Sequence, residues 1–221
     1  QAFRMRGHQA AQLDPLGLWQ RPVPADLSIS HYSLTDADLD TTFRTGGLAI
    51  GKEEATLREI RDALQQTYCR TIGSEFTHIT DSEQRSWFQQ RLESVRGRPQ
   101  VSAEVQSHLL ERLTAAEGLE KYLGTKYPGT KRFGLEGGES LIPLLDEIIQ
   151  RSGSYGTKEI VIGMAHRGRL NVLVNTFGKN PRELFDEFEG KKKVELGSGD
   201  VKYHQGFSSN VMTTGGEVHL A

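Results

Sequence analysis

Two histidines in polar, glycine-containing stretches are the side chains of this sequence best suited to proton transfer. His166 directly follows the apolar run 160–165 and has two arginines within the next three residues. His204 lies in a second polar stretch, with the hydroxyl of Ser208 four residues later. An imidazole can donate or accept a proton near neutral pH. The two stretches are therefore candidates for a donor-rich ligand site with acid–base chemistry.

The elements around His166 decide whether it can reach a ligand. The apolar run 160–165 predicts a strand buried on both faces, as in a parallel sheet, and helices are predicted at 141–149 and 170–177. Ligands of α/β sheets bind at the carboxyl ends of strands. Helix, strand, helix therefore predicts an α/β layer with His166 at its ligand-binding edge. The open alternative is an ordinary loop histidine, with the neighbouring arginines in salt bridges at the end of the sheet.

The first fifty residues are not typical of a long helix. Their proline-containing turns favour extended backbone, so residues 1–50 are predicted to be an extended linker segment. Residues 46–52 nearly match a phosphate-binding loop, but Glu53 stands where a Ser or Thr hydroxyl would reach magnesium. Because a carboxylate there would also repel phosphate, this stretch is interpreted as a glycine-rich turn into a helix.

Residues 51–112 are predicted to be a helical region. Apolar residues at helical spacing indicate one helix over 57–68, with the acids 53–54 in its first turn. A capping box, in which a Thr hydroxyl and a Glu carboxylate bond backbone N–H groups, is predicted at 80–83. A further helix is predicted to open at Ser102.

Composition excludes several classes of function. The 27 basic and 29 acidic residues leave a net charge of -2, which gives no general attraction to nucleic acid or to an anionic membrane. No apolar run reaches the roughly 18 residues that a transmembrane helix needs. The single Cys69 cannot form an internal disulfide. None of the seven histidines has zinc-ligand spacing, so no metal site is predicted.

Six short segments carry a more specific pattern. They are RMRGH at 4–8, LDPLG at 13–17, TAAEGLE at 114–120, KRFGLEGG at 131–138, GMAHRGRLN at 163–171 and GDVKYH at 199–204. Together and in this order, they resemble the thiamine-dependent decarboxylase components of 2-oxoglutarate dehydrogenase complexes. The resemblance runs over nearly the whole chain.

The resemblance implies an α/β fold in which an N-terminal helical region precedes the first part of a thiamine-diphosphate-binding three-layer α/β/α domain, here residues 113–221. The chain would then be an internal piece of a larger enzyme, and its start at Gln1 without a Met leads to the same expectation. In this family a Gly–Asp motif and a later Asn hold magnesium and diphosphate. That motif is not recognised in this sequence, because Asp200 belongs to the segment 199–204 that ends in His204. Thiamine diphosphate and Mg²⁺ are therefore expected to be bound beyond residue 221, and this piece alone is expected to be inactive.

The resemblance also implies roles for individual residues. His166 and His204 would be catalytic and substrate-binding, and Ser208 would hold a substrate-side position. The implied reaction is the decarboxylation of 2-oxoglutarate in the tricarboxylic acid cycle, with transfer of the succinyl group to lipoyl on an acyltransferase. The implied partners are that acyltransferase, dihydrolipoyl dehydrogenase and a second copy in a homodimer. The implied location is the cytoplasm of a bacterium or the mitochondrial matrix of a eukaryote.

Two alternatives stay open at this point. One is the paralogue that prefers 2-oxoadipate, which is one methylene longer. The other is a non-catalytic helical docking module, in which the residues up to about 110 serve subunit contacts.

Overall fold

A computed structural model describes residues 1–191 and 206–221. The chain divides into two compact units, Gln1–Val101 and Ser102–Ala221. Helices and small sheets occur together, which is compatible with the predicted α/β class. The finer domain limits expected from the sequence stay predictions.

The first unit combines helices with a two-stranded hairpin. Its helices and strands are α1 (Ala2–Arg6), β1 (Thr42–Arg44), β2 (Glu54–Thr56), α2 (Leu57–Tyr68) and α3 (Ser82–Ser94). Single turns of 3₁₀ helix occupy Gly7–Ala10, Ala25–Leu27, Ile29–Tyr32 and Asp36–Asp38. The two strands pair antiparallel, with Phe43 opposite Ala55.

The helix predicted over 57–68 is confirmed, but its first turn differs from the expected one. The Thr56 hydroxyl accepts a hydrogen bond from the Glu59 N–H at 3.2 Å, and the Glu59 carboxylate accepts one from the Thr56 N–H at 3.0 Å. This capping box fixes the start of α2. The prediction that Glu53 and Glu54 lie in the first turn is wrong, because Glu54 belongs to the hairpin strand β2.

The capping box predicted at 80–83 is also wrong. The carboxylate of Asp81 accepts hydrogen bonds from the backbone N–H groups of Glu83 and Gln84, both at 2.9 Å. Asp81 therefore caps α3 in place of Thr80. One carboxylate oxygen bonds both first-turn donors, which leaves Thr80 outside the cap.

Replacing Asp81 with Ala is expected to destabilise α3 by about 1 kcal/mol, because two backbone N–H groups lose their acceptor. Hydrogen exchange of the α3 amides in the full-length protein measures this loss. Thr80→Ala serves as the matched control and should leave their protection nearly unchanged. Equal loss of protection in the two variants would contradict the cap assignment.

A buried carboxylate joins three parts of the first unit. The Glu93 side chain is fully buried and accepts from Arg4 Nε at 2.7 Å, from the Tyr68 hydroxyl at 2.8 Å and from the Ala49 N–H at 3.2 Å. Burial and the hydrogen bond to Glu93 raise the pKa of the Tyr68 hydroxyl above its ordinary value. That hydroxyl consequently remains a donor at physiological pH.

The second unit packs helices against a small sheet. Its elements are α4 (Ala103–Lys126), α5 (Leu141–Ser154), β3 (Glu159–Ile160), α6 (Arg169–Asn175), α7 (Pro181–Phe188), β4 (Ser209–Thr213) and β5 (Gly216–Leu220). Ser102 caps α4, as predicted, by accepting from the Val105 N–H at 3.4 Å. The core of the unit includes Ile142 of α5, Val172 of α6 and Val218 of β5.

The sheet of this unit has the order β3-β5-β4. β3 runs parallel to β5, whereas β4 and β5 form an antiparallel hairpin. Leu220 of β5 lies opposite Ile160 on one side and opposite Ser209 on the other. These three residues therefore form one row across the sheet.

The strand predicted over 160–165 is confirmed only at Ile160. The described strand β3 has two residues, and Val161 is 74% exposed rather than buried on both faces. The Ile162 N–H still bonds the Ala221 carbonyl at 2.8 Å. β3 lies at an edge of the described sheet, so the apolar run pairs along β5 alone and stays open on its outer side.

Candidate functional site

His166 lies in the turn that connects the β3 segment to α6. It is half-buried, and its ring stacks on the ring of Phe133, with centroids 4.8 Å apart and planes inclined by 23°. The backbone of Phe133 has φ 46°, an uncommon conformation for a bulky side chain. The surrounding structure must therefore hold this residue in place.

Backbone contacts fix the His166 turn against the segment that carries Phe133. The Gly168 N–H donates to the Phe133 carbonyl at 2.8 Å, and Arg167 Nη1 donates to the Gly134 carbonyl at 2.9 Å. Gly168 has φ 76°, and a β-carbon there would lie 2.6 Å from Leu135 Cδ1. Only glycine therefore fits at this position without a shift of its neighbours.

The arginines beside His166 both bond to backbone carbonyls. Arg167 bonds to Gly134, as above, and the Arg169 guanidinium donates to the Met164 carbonyl. These bonds join the two sides of the turn. Through these bonds the arginines order the loop around His166.

Ser208 lies at the end of the sheet from which the segment leading to His166 departs. It is exposed and directly precedes Ser209, which shares a row with Ile160. Neighbouring strands are about 4.8 Å apart, so the two backbones at this row are separated by roughly two strand spacings. Ser208 and the start of the His166 segment thus lie at the same end of the sheet, next to its two outer strands.

His204 falls in 192–205, outside the described residues. Its expected convergence with His166 therefore stays a prediction, as does its role in catalysis. Asp200, interpreted from the sequence as part of the histidine motif, lies outside the described residues as well.

A group of charged residues surrounds the segment that carries Phe133. Arg132 pairs with the buried Glu120 at 2.7 Å and with Glu136. The Arg132 guanidinium lowers the pKa of the Glu136 carboxyl below its ordinary value. Lys131 Nζ lies 4.7 Å from the centre of the Phe133 ring. Lys131 is therefore the cation that lies beside the ring of the Phe133–His166 stack, while Arg132 is paired with carboxylates.

Sequence reasoning gave no individual role to Phe133 or to Glu120, although both lie in the recognised segments. One available signal was the position of Glu120, a charged residue among the apolar positions of α4, between Ala116 and Leu123. The positive φ of Phe133 could not be predicted from the sequence, because phenylalanine rarely adopts this backbone conformation.

In the ranges 1–191 and 206–221, no three His, Cys, Asp or Glu side chains come together as a set of metal ligands. Magnesium with diphosphate needs carboxylate oxygens of that kind. That thiamine diphosphate and Mg²⁺ are bound beyond residue 221 stays a prediction.

The glycine-rich stretch 46–51 is a turn, as interpreted, but it lies between β1 and β2 rather than leading directly into α2. It lines an open cleft of about 1070 Å³ in the first unit. Lys52 pairs with Glu59 at 2.6 Å, and Glu53 and Glu54 also line the cleft. Arg44 and Arg91 line the cleft as well, so the charges around it are mixed.

Among the described residues, no helix has both the length and the apolar character needed to cross a membrane.

The fold and the site define a mixed α/β protein with a histidine held after a parallel edge strand. Over all 221 residues, the chain is 84% identical to the 2-oxoglutarate dehydrogenase E1 component of Azotobacter vinelandii. It is 56% identical over 220 residues to that of Cupriavidus necator and 47% identical over 221 residues to that of Haemophilus influenzae. No protein-family model matches the chain.

These similarities cover 99% to 100% of the chain but only 23% to 24% of each relative. The chain thus spans about a quarter of the length of the curated relatives it matches. It belongs to the family of 2-oxoglutarate dehydrogenase E1 components and corresponds to a segment of that protein.

Proposed function

We propose that the full-length protein containing this chain is the decarboxylase component of a 2-oxoglutarate dehydrogenase complex. It decarboxylates 2-oxoglutarate with thiamine diphosphate and Mg²⁺ and transfers the succinyl group to lipoyl. The observation that carries this proposal is the 84% identity over the whole chain to an E1 component of that name. Residues 113–221 would form the first part of the thiamine-diphosphate-binding α/β/α domain, after a helical region at 51–112 and a linker at 1–50.

The chain's own residues would act on the substrate. When bound, thiamine diphosphate supplies the electron sink for decarboxylation. The protein must bind a doubly anionic 2-oxo acid and stabilise the negative charge that develops on oxygen. His166, His204 and Ser208 suit this work as hydrogen-bond donors. The stack on Phe133 supports the assignment of His166, because a fixed imidazole needs no reorganisation during the reaction.

The proposed partners follow from the same assignment. They are a lipoyl acyltransferase, which would accept the succinyl group, dihydrolipoyl dehydrogenase, and a second copy in a homodimer. The three relatives named above are bacterial, which supports a cytoplasmic rather than a mitochondrial location.

Substrate competition in the full-length enzyme tests the proposal. With thiamine diphosphate and Mg²⁺ present, we expect kcat/KM for 2-oxoglutarate to exceed that for 2-oxoadipate by about 10-fold or more, because one methylene in a pocket is worth about 1 to 3 kcal/mol. A higher kcat/KM for 2-oxoadipate would instead identify the enzyme as the paralogue that prefers this longer substrate. Turnover of neither substrate would favour the docking module.

The 221-residue chain alone is the control for this experiment. It should bind no thiamine diphosphate in a calorimetric titration and should show no turnover, since the proposed cofactor ligands lie elsewhere. Tight binding of thiamine diphosphate by the chain alone would contradict the proposal that the cofactor ligands lie outside it.

A further inference from the structure

Glu120 occupies a position on α4 where an apolar side chain is normally expected. It is 4% exposed, and its neighbours along the same helix face are Ala116 at 0% and Leu123 at 1%. Removing a carboxylate from water costs several kcal/mol unless donors satisfy it. A well-packed apolar residue would avoid that cost. The carboxylate therefore calls for an explanation beyond helix packing.

Three donors from two separate segments satisfy this carboxylate. Arg132 Nη1 donates to Glu120 Oε2 at 2.7 Å, and the Leu135 N–H donates to Oε1 at 3.0 Å. Asn171 Nδ2 also donates to Oε1 at 3.0 Å and to the Ala116 carbonyl at 2.9 Å. Asn171 is completely buried. We call Glu120, Arg132, Leu135 and Asn171 the Glu120 cluster.

The two segments joined by the Glu120 cluster are the ones that carry the stacked rings. Phe133 lies between Arg132 and Leu135, and His166 lies five residues before Asn171. The Phe133 backbone, at φ 46°, is in a conformation that its surroundings must impose. The bonds of the Glu120 cluster lie on both sides of this residue, one position before it at Arg132 and two positions after it at Leu135. They are thus placed to hold the Phe133 ring against the imidazole.

We propose that Glu120 is a positioning residue for His166. Its carboxylate fixes the segment 132–135 and the start of α6 to α4, and so sets the geometry of the Phe133–His166 stack. The inference rests on the proposed role of His166 in the active site. Glu120 itself is covered by its donors and α4, so it acts through the two rings rather than by contact with substrate.

The test is the kinetics of Glu120→Gln in the full-length enzyme with thiamine diphosphate and Mg²⁺. Glutamine keeps the size of the side chain but removes the charge that pairs with Arg132. We expect kcat/KM for 2-oxoglutarate to fall about 10- to 100-fold, the scale of a misplacement of about 1 Å at a reacting centre. Glu117→Gln, on the same helix but exposed and paired with Lys121 at 2.8 Å, is the matched control and should keep wild-type kinetics.

A double-mutant cycle with His166→Ala separates positioning from general stability. If Glu120 acts through His166, Glu120→Gln should change kcat/KM less than about threefold in the His166→Ala background. A purely structural role would lower activity by the same factor in both backgrounds and would overturn the proposal. Wild-type kcat/KM in Glu120→Gln would also overturn it.

Thermal denaturation accompanies each variant. A Glu120→Gln enzyme that fails to fold would assign the residue to folding and overturn the positioning role. Glu120→Leu provides a second measurement, because it keeps an apolar side chain of similar size on α4 but removes both carboxylate oxygens, while Arg132 keeps Glu136 and Asn171 keeps the Ala116 carbonyl; we expect a folded enzyme with at least the kinetic loss of Glu120→Gln. A wild-type rate in His166→Ala alone would instead refute the proposed function of the site, so the two failures are distinguishable.

Discussion

Replacing His166 with Ala in the full-length enzyme is expected to lower kcat about a hundredfold or more, the scale of a lost acid–base or oxyanion contact. The imidazole is half-buried and fixed against Phe133, so water is a poor substitute for its geometry. Steady-state kinetics with 2-oxoglutarate measures the effect. From the family resemblance, we expect a loss of similar size for His204→Ala.

The matched control for this experiment is His108→Ala in the same unit. His108 is exposed on α4, where Nε2 lies 2.6 Å from Asp146 Oδ2, and it is distant in sequence from the proposed site. Its loss should leave kcat nearly unchanged. If His166→Ala and His108→Ala had the same rate as the wild type, the catalytic role of His166 would be refuted.

Replacing Glu93 with Ala is expected to destabilise the first unit by about 3 to 5 kcal/mol, the cost of breaking a buried ion pair by removing one partner. Arg4 would keep its charge without the carboxylate, and the Tyr68 hydroxyl would lose its acceptor. Hydrogen exchange of the α2 and α3 amides in the full-length protein reports the opening free energy of this unit.

Gln90→Ala provides the reference for the Glu93 substitution. Gln90 is exposed on the same helix, three residues earlier, and should change the opening free energy by no more than about 0.5 kcal/mol. If Glu93→Ala changed protection no more than Gln90→Ala, the ion pair with Arg4 would have no role in stability.

Local signals predicted the helices better than the strands. The start of α4 follows from Ser102, whose hydroxyl bonds the first turn, and the bounds of α2 follow from apolar spacing. A strand over the whole of 160–165 would need neighbouring strands on both sides, and a local stretch of sequence does not specify which strands pair with it. The sequence favours Thr80 as the cap of α3 and assigns the acids 53–54 to the first turn of α2, because several acids and hydroxyls compete there; only the backbone geometry selects Asp81 and Thr56 as the caps.

The candidate site was predictable in its residue types but not in its supports. His166 follows an apolar run, and position alone suggested a ligand-binding edge. Phe133 stacks on His166, 33 residues further along the chain, and Glu120 accepts a hydrogen bond from Asn171, 51 residues further along. Such contacts have no periodic signal, because they depend on the tertiary fold. The pairing of His166 with His204 stays a prediction, because His204 lies outside the described residues.

The buried carboxylate on α4 also has a consequence for folding. If α4 packed into the core before the chain around residue 133 and the first turn of α6 arrived, Glu120 would lose its water without gaining its donors. That intermediate is costly, so the three segments are expected to assemble together. Folding of the unit and formation of the Phe133–His166 stack are then expected to be one cooperative event, so that a chain with this core packed already has its imidazole in place.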